Sequence, residues 1–351
     1  MLARVALIGY GLAGSVFHAP LIDAEPGLEL AAIVTADEER RAQARAAYPE
    51  AQLLASPDEI WAACDRVELV VVAAANRAHV PLARASIAAG LPVVVDKPLA
   101  ATAAEARELI AAAREAGVPL SVFQNRRWDG DLLTVRRLLE AGELGRVHRF
   151  ESRFERFRPE PKAGWREAAA PAEGGGVLLD LGAHLIDQAL LLFGAATHVY
   201  AELDTRRGAA RVEDDAFVAL THASGVRSHL WMSALAADLG PRMRVLGDRA
   251  AYVKWGLDGQ EDALRGGASP AGDPAWGAEP AERHGELVAG VERAPVGTEP
   301  GAWPAFYAQV AAALRGDGVM PVDPADAVRV LEVIEAARRS ALSVPAPTPG
   351  R

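Results

Sequence analysis

The chain has 351 residues, a formal net charge of −10 and a hydrophobic content of 50%. This length predicts two domains, or one large one, with an ample core. No apolar run reaches the ~18 residues that a membrane-spanning helix needs. The negative charge disfavours nucleic acid as a partner. The single cysteine, Cys64, excludes an internal disulfide, so we expect a cytoplasmic protein with no metal site.

The first 123 residues alternate short apolar runs with helical patterns. Strands are predicted at residues 4–8, 28–34, 68–73, 92–95 and 120–123. Helices are predicted from near Gly14 and at residues 38–47, 79–89 and 103–116. This alternation indicates right-handed βαβ units and therefore a doubly wound parallel sheet, a Rossmann domain over residues 1–123.

A glycine-rich turn follows the first strand and fits the pattern G-x-G-x-x-G. In it, Gly9 permits a tight turn, Gly11 lets the backbone approach a pyrophosphate, and Gly14 lets the helix approach the strand. Leu12 and Ala13 lie between them, where free N–H groups at a helix start attract phosphate. The alternative is a plain strand-to-helix loop. The turn predicts a dinucleotide cofactor.

The end of the second strand bears on the choice of cofactor. An acidic residue there holds the ribose of NAD, whereas this chain has Thr35 at that point. Arg40 and Arg41 follow and are suited to the 2′-phosphate of NADP, although they also suit a solvated helix face. Residues 37–39 are acidic and argue the other way. We expect NADP(H), with NAD(H) as the alternative.

A charged turn, Asp96-Lys97-Pro98, comes directly after the buried strand at residues 92–95. Ligands of doubly wound folds bind at the carboxyl edge of the sheet. A lysine at this edge can donate to a substrate oxygen and stabilise its developing negative charge. The Lys97–Pro98 bond has the option of a cis conformation. The alternative for Lys97 is a surface lysine that begins a loop.

The pattern changes after residue 124, and we predict a second domain over residues 124–325. Strands at residues 147–157, 199–203, 215–221, 227–233, 243–246 and 250–255 predict an open, mostly antiparallel sheet with helices on one face, among them 132–141 and 178–192. Residues 256–300 are expected to form surface loops. The C-terminal helix, residues 326–344, is expected to pack back on the Rossmann domain, and residues 345–351 to form a flexible tail.

A polar stripe marks the helix predicted at 178–192. Asp180, His184 and Asp187 follow the spacing i, i+4, i+7, on a helix that is apolar nearly all round. Such a stripe is expected to face a polar cavity or a buried network. Histidine beside a carboxylate suits proton transfer near neutral pH. The alternatives are a structural His–Asp pair or a wet groove. A metal site is disfavoured, since no second cluster completes one.

These motifs, taken in order, resemble the glucose–fructose oxidoreductase, inositol dehydrogenase and rhizopine-catabolism (GFO/IDH/MocA) family over nearly the whole chain. The shared segments include residues 74–79, 93–98, 124–129, 175–187 and 326–331. The resemblance is greatest to the subgroup that contains NADP-dependent scyllo-inositol dehydrogenase. Asp96 departs from the Glu usual in this family, and Ala75 departs from a common proline.

The resemblance implies roles for individual residues. Lys97 would polarise the reacting oxygen, His184 would be the general base, and Asp180 would orient and tune them. The residues implied in cofactor binding, beyond the glycine-rich turn, are Thr35, Arg40, Asn76, His79, Asp96 and Lys97. The residues implied in substrate binding, beyond Asp180 and His184, are Arg127, Trp128 and Trp165, each of which is also an ordinary packing or surface residue.

The resemblance also implies the activity: hydride transfer between nicotinamide C4 and a secondary alcohol or ketone of a sugar or cyclitol. Two alternatives stay open. One is a glycosidase that keeps NAD bound and uses transient oxidation and elimination, and the other is a non-catalytic sugar or dinucleotide sensor. An open sheet needs a cover, so we expect a homodimer or homotetramer.

Overall fold

The computed structural model describes residues 2–62, 67–161, 175–208 and 210–343. The chain divides into two compact units, neither of which is continuous in sequence. The first unit consists of Met1–Leu133, Asp258–Glu279 and Glu299–Val328. The second consists of Thr134–Leu257, Pro280–Thr298 and Arg329–Arg351. The sequence predicted continuous domains with boundaries at residues 123 and 325, whereas each unit in the structure draws on three separate segments of the chain.

The first unit contains a parallel sheet of six strands within the described residues, in the order β3-β2-β1-β4-β5-β6. Its strands are β1 (Ala3–Ile8), β2 (Leu28–Val34), β3 (Gln52–Leu54), β4 (Leu69–Val72), β5 (Val93–Asp96) and β6 (Leu120–Phe123). Every residue of β4, β5 and β6 is buried, as expected of a sheet covered on both faces. The predicted Rossmann fold is confirmed. Strand β3 was not predicted, because its three residues carry no periodic pattern.

The second unit contains an eight-stranded sheet, in the order β14-β13-β12-β11-β7-β10-β9-β8 within the described residues. Its strands are β7 (Val147–Glu155), β8 (Ala196–Asp204), β9 (Asp215–His222), β10 (Arg227–Ser233), β11 (Met243–Gly247), β12 (Ala251–Lys254), β13 (Gly285–Ala289) and β14 (Glu292–Val296). Strands β7 and β10 pair in parallel and the other neighbours are antiparallel. The predicted mostly antiparallel sheet is confirmed.

Helices connect the strands of both units. In chain order they are α1 (Ala19–Asp23), α2 (Glu38–Ala47), α3 (Asp58–Trp61), α4 (His79–Ala88), α5 (Ala103–Glu115), α6 (Gly130–Glu140), α7 (Ala183–Phe193), α8 (Gln260–Arg265), α9 (Pro304–Leu314) and α10 (Pro324–Ser343). A π-helix, Ala13–His18, leads into α1, and another, Leu178–Gly182, leads into α7. Helix α5 begins with a capping box in which Thr102 and Glu105 bond each other's backbone N–H groups.

The covered face of the second sheet is set by alternation along its strands. In β9, Ala216, Val218, Leu220 and His222 are buried while the residues between them are partly exposed. Helix α7 packs against β7 and β10. Strand β9 therefore presents one face to the core and one to the outside.

The segment 256–300, expected to be loops, contains helix α8 and strands β13 and β14. These two strands form one edge of the eight-stranded sheet. Strand β14 is exposed over nearly its whole length and includes Pro295, so it has no hydrophobic alternation to detect. Main-chain pairing with β13 holds it in place.

The C-terminal helix, α10, also differs from the expectation that it packs on the first domain. Residues 324–328 group with the first unit and the rest with the second. The Ser340 Oγ accepts a bond from the backbone N–H of Ala201 at 3.2 Å, which attaches this half of the helix to β8. The predicted tail, residues 345–351, lies outside the described residues. Within the described ranges, no helix is both long and apolar enough to cross a membrane.

Candidate active site

The glycine-rich turn has three glycines in three different situations. Gly9 has a φ of +101°, and a Cβ added there would lie 2.6 Å from the carbonyl oxygen of Ala73. A Cβ on Gly14 would overlap the carbonyl oxygen of Gly9. A Cβ on Gly11 would meet only Arg40 Nη1, at 3.8 Å. The fold therefore requires glycine at positions 9 and 14, whereas Gly11 leaves open a space that suits the close approach of a pyrophosphate.

The two arginines that follow β2, Arg40 and Arg41, have different environments. Asp37 caps helix α2 by accepting a bond from the backbone N–H of Arg40 at 3.0 Å. Arg41 donates to the carbonyl oxygen of Thr35 at 3.3 Å, and its side chain is only 19% exposed. The Arg40 side chain is 51% exposed and reaches towards Gly11. Arg41 therefore bonds the protein's own backbone, while Arg40 is more exposed and pairs with Asp37, whose Oδ2 lies 3.9 Å from its Nε.

His79 begins helix α4, directly after the single turn Asn76–Ala78. Its ring is fully buried. The Nδ1 lies 2.7 Å from the carbonyl oxygen of Pro98, and the Nε2 lies 3.0 Å from that of Ala74. Burial lowers the pKa of His79 below its usual value, although Asp96 and the two carbonyl groups oppose this. His79 thus connects the turn after β4 to the turn after β5.

The turn Asp96-Lys97-Pro98 ends strand β5 at the carboxyl edge of the parallel sheet, where the sequence placed it. The Asp96 carboxylate accepts a bond from the backbone N–H of Lys97 at 2.9 Å. The Lys97–Pro98 bond is cis. Burial alone would raise the pKa of Asp96, but His18, Lys97 and His79 together hold it below its usual value. The carboxylate therefore stays charged beside Lys97.

The polar stripe of the second unit lies where the π-helix Leu178–Gly182 continues as α7. Asp180 is partly exposed, while His184 and Asp187 are buried. One turn beyond His184, the Gln188 Oε1 accepts a bond from Arg242 Nη2 at 3.0 Å. His184 and Asp187 are thus buried polar groups, and Asp180 at the start of the row is partly exposed.

Arg242 is a residue of this unit that the sequence analysis missed. It is buried, and its Nη1 donates to Ser152 Oγ at 2.7 Å and to the carbonyl oxygen of Arg153 at 3.0 Å. Together with its bond to Gln188, these contacts attach the helix of His184 to strand β7. Gln188 continues the i, i+4 spacing from His184 and was detectable, whereas nothing in the local sequence marks Arg242.

The three candidate substrate contacts have different positions. Arg127 pairs with Asp326 at 2.9 Å. The Trp128 ring packs edge-on against Phe306, with ring centroids 5.6 Å apart. Trp165 lies outside the described residues. Among the residues that the structure describes, no three His, Cys, Asp or Glu side chains are grouped so as to hold a metal ion.

Comparison with known proteins adds to this geometry. Residues 3–124 match the family described as "Oxidoreductase family, NAD-binding Rossmann fold", and residues 132–253 match the "GFO/IDH/MocA C-terminal domain". The chain is 42% identical to the oxidoreductase YdgJ of Escherichia coli over 96% of each chain. The chain belongs to the GFO/IDH/MocA oxidoreductase family.

Two further GFO/IDH/MocA comparisons have the same extent. The scyllo-inositol 2-dehydrogenase (NADP(+)) IolW of Bacillus subtilis is 36% identical over 96% of this chain and 93% of its own. The structure of the oxidoreductase yvaA from Bacillus subtilis superposes with a TM-score of 0.90 at 35% identity, covering 97% of this chain and 96% of that one. The family predicted from the motifs is confirmed, and the protein is an oxidoreductase with an NAD-binding Rossmann domain.

Proposed function

We propose that this oxidoreductase prefers NADP(H) and interconverts a secondary alcohol and a ketone on a sugar or cyclitol. The observation that carries the cofactor preference is the difference between the two arginines that follow β2, since Arg41 bonds the backbone and Arg40 is more exposed. Asp37 caps helix α2 and pairs with Arg40 at 3.9 Å, and the half-exposed Arg40 side chain lies beside Gly11. The similarity to IolW, whose name specifies NADP(+), supports the same preference.

The proposed substrate class is supported by two relatives. IolW is named for a cyclitol, and a D-apiose dehydrogenase of Paraburkholderia graminis, 30% identical over 90% of this chain, is named for a sugar. Both names describe the oxidation of a polyhydroxylated small molecule. We therefore propose a polyol or sugar as substrate, with Arg127, Trp128 and Trp165 among its contacts.

Three residues would handle the proton and the charge. The bound nicotinamide supplies the hydride acceptor or donor. Lys97 would donate a hydrogen bond to the reacting oxygen and stabilise negative charge as the hydroxyl proton leaves. His184, as the neutral imidazole, would accept that proton, and Asp180 would orient the ring. Asn76, His79 and Asp96 would help to hold the dinucleotide at the carboxyl edge of the sheet.

The test of the cofactor preference uses two neighbouring arginines. Arg40→Ala removes the exposed guanidinium, and a charge-assisted bond to phosphate is worth about 1.5–3 kcal/mol. We therefore expect the Kd for NADPH to rise about tenfold or more while that for NADH changes less than about twofold. Arg41→Ala is the matched control, since it removes a cation that bonds the protein's own backbone. Equal losses for NADPH and NADH in Arg40→Ala would refute the preference.

The test of the reaction is turnover of NADP(H) and NAD(H) with a panel of inositols, inososes, aldoses and keto-sugars. We expect turnover with at least one cyclitol or sugar. Tight binding of dinucleotide without turnover on any member would refute a dehydrogenase and favour the bound-cofactor glycosidase or the sensor.

A further inference from the structure

The first unit contains a second histidine that the proposed chemistry does not use. His18 ends the π-helix that follows the glycine-rich turn, and its ring is fully buried. Its Nδ1 lies 2.6 Å from the hydroxyl of Tyr307, on helix α9. Its Nε2 lies 3.8 Å from the Asp96 carboxylate and has no hydrogen-bond partner among the described residues. A buried chain of polar groups therefore runs from Tyr307 through His18 to Asp96.

Tyr307 determines which nitrogen of His18 carries the proton. The Tyr307 side chain is fully buried, and burial, with Asp96 adding to it, raises the pKa of its phenol well above the usual value. Tyr307 therefore keeps its hydroxyl proton and can donate it to Nδ1. The proton of a neutral His18 then lies on Nε2, facing the carboxylate. The opposite tautomer would direct the Nε2 lone pair at a negative charge.

The contact between His18 and Asp96 is electrostatic. At 3.8 Å it is longer than a hydrogen bond, so an N–H dipole or a charge acts across it. The ionisable groups that face Asp96 are His18 from the π-helix, His79 from α4, Lys97 from the next position and Tyr307 from α9. Of these, His18 is the one whose ring is linked to Tyr307, through the 2.6 Å contact at Nδ1.

The turn that carries Lys97 is thus fixed from two sides. His79 holds its far end through the carbonyl oxygen of Pro98, at 2.7 Å. Asp96 holds its near end through the backbone N–H of Lys97, at 2.9 Å. The bond from the Lys97 N–H to Asp96 depends on a carboxylate that stays charged while it is buried. His18 helps to keep this carboxylate charged by lowering its pKa.

We propose that His18 and Tyr307 form a positioning pair that acts on the Asp96 carboxylate and so fixes the orientation of Lys97 through its backbone N–H. The consequence for catalysis rests on the proposed function of Lys97. The tautomer of His18 does not rest on it, because it follows from the buried contacts alone. Neither His18 nor Tyr307 is expected to touch the substrate.

The first experiment reads the tautomer directly by nitrogen-15 NMR of labelled histidine. The chain has eight histidines, and the signal of His18 is the one that disappears in His18→Phe. We expect His18 to be protonated on Nε2 in the wild type and to become a mixture of tautomers in Tyr307→Phe. An Nδ1-protonated His18, or a tautomer unchanged by Tyr307→Phe, overturns the proposal whether or not the enzyme turns over.

The second experiment measures rate against pH in Tyr307→Phe and His18→Phe. Without the dipole facing it, Asp96 takes up a proton at higher pH, so the acid side of the kcat profile moves towards neutral pH. At a pH on that side, we expect kcat to fall about tenfold. The double variant should be no slower than His18→Phe, since Tyr307 acts through His18.

The matched control is Ser121→Ala, which removes another buried hydroxyl from the same unit. Ser121 bonds the backbone of Val322 at 2.9 Å and lies outside the His18 chain. It should lower the unfolding temperature and leave the pH profile unchanged. Profiles of Tyr307→Phe and His18→Phe that superpose on the wild type would overturn the proposal. A wild type that turns over no substrate refutes the proposed function and leaves the tautomer result standing.

Discussion

Replacing Gly11 by alanine separates what the glycine-rich turn does for the fold from what it does for the ligand. Gly11 is not among the glycines with positive φ, and an added methyl group meets only the mobile end of Arg40 at 3.8 Å. Such a change costs the folded state little, and by restricting the unfolded chain it can add about 0.4–1 kcal/mol of stability. We expect an unfolding temperature within about 2 °C of the wild type.

Dinucleotide binding should respond very differently. A methyl group at Gly11 occupies the space in which a pyrophosphate would approach the backbone. Losing even one charge-assisted bond to a backbone N–H costs about 1.5–3 kcal/mol, which corresponds to roughly a 10- to 150-fold rise in Kd. The loss should be similar for NADPH and NADH, because both carry the pyrophosphate.

The assay pairs thermal unfolding with calorimetric titration of each dinucleotide. Gly14→Ala is the contrasting variant, because its methyl group overlaps the carbonyl oxygen of Gly9 and should lower the unfolding temperature itself. Gly11→Ala that binds NADPH as the wild type does would refute the assignment of the pyrophosphate to this turn. If Gly11→Ala unfolded at as low a temperature as Gly14→Ala, the claim that a methyl group fits at Gly11 without a clash would be refuted.

Three further outcomes are expected. His184→Ala should lower kcat by about 100-fold or more if His184 takes the proton; near-wild-type turnover in a steady-state assay would remove it from that role. Burial raises the pKa of Glu213, so its ionisation in the folded state costs stability as pH rises through that pKa. Glu213→Gln should therefore gain stability relative to the wild type as pH rises, and denaturant midpoints that shift equally at all pH values would contradict this. The exposed face of the eight-stranded sheet, where Phe217 and Trp231 lie 5.1 Å apart, should be covered by a second copy; a monomer in sedimentation at micromolar concentration would contradict it.

The parts of the fold that could be predicted from sequence are those in which burial leaves a pattern. The all-apolar strand β4, the valine-rich strand β5 and the alternating strand β9 can be detected from their hydrophobic patterns. Strand β14 could not be found, because an exposed edge strand is held by main-chain pairing and needs no particular side chains. The return of helix α9 to the first unit could not be predicted either, since the apolar stripe of a helix shows that one face is buried but not what covers it.

The candidate site likewise contains some residues that could be proposed from the sequence and others that could not. Residues with a fixed spacing or a strand-end position, such as Gly9, Lys97 and His184, could be proposed from the sequence because the proposed chemistry requires that arrangement. His18, Tyr307 and Arg242 act through contacts between distant parts of the chain. His18 and Tyr307 are 289 positions apart, and no local pattern records such a meeting.

The discontinuity of the first unit has a consequence for how the protein is made. Trp303 donates its indole N–H to Asp129 at 2.8 Å, and Phe306 packs on Phe123 with ring centroids 4.9 Å apart. Both are fully buried, yet the ribosome adds them after the whole of Thr134–Leu257 has been translated. The synthesis of the first unit therefore begins early and is completed late. Until Phe306 has been added, Phe123 lacks the aromatic ring that packs on it. Growing chains that stop before residue 303 should be the ones that chaperones hold.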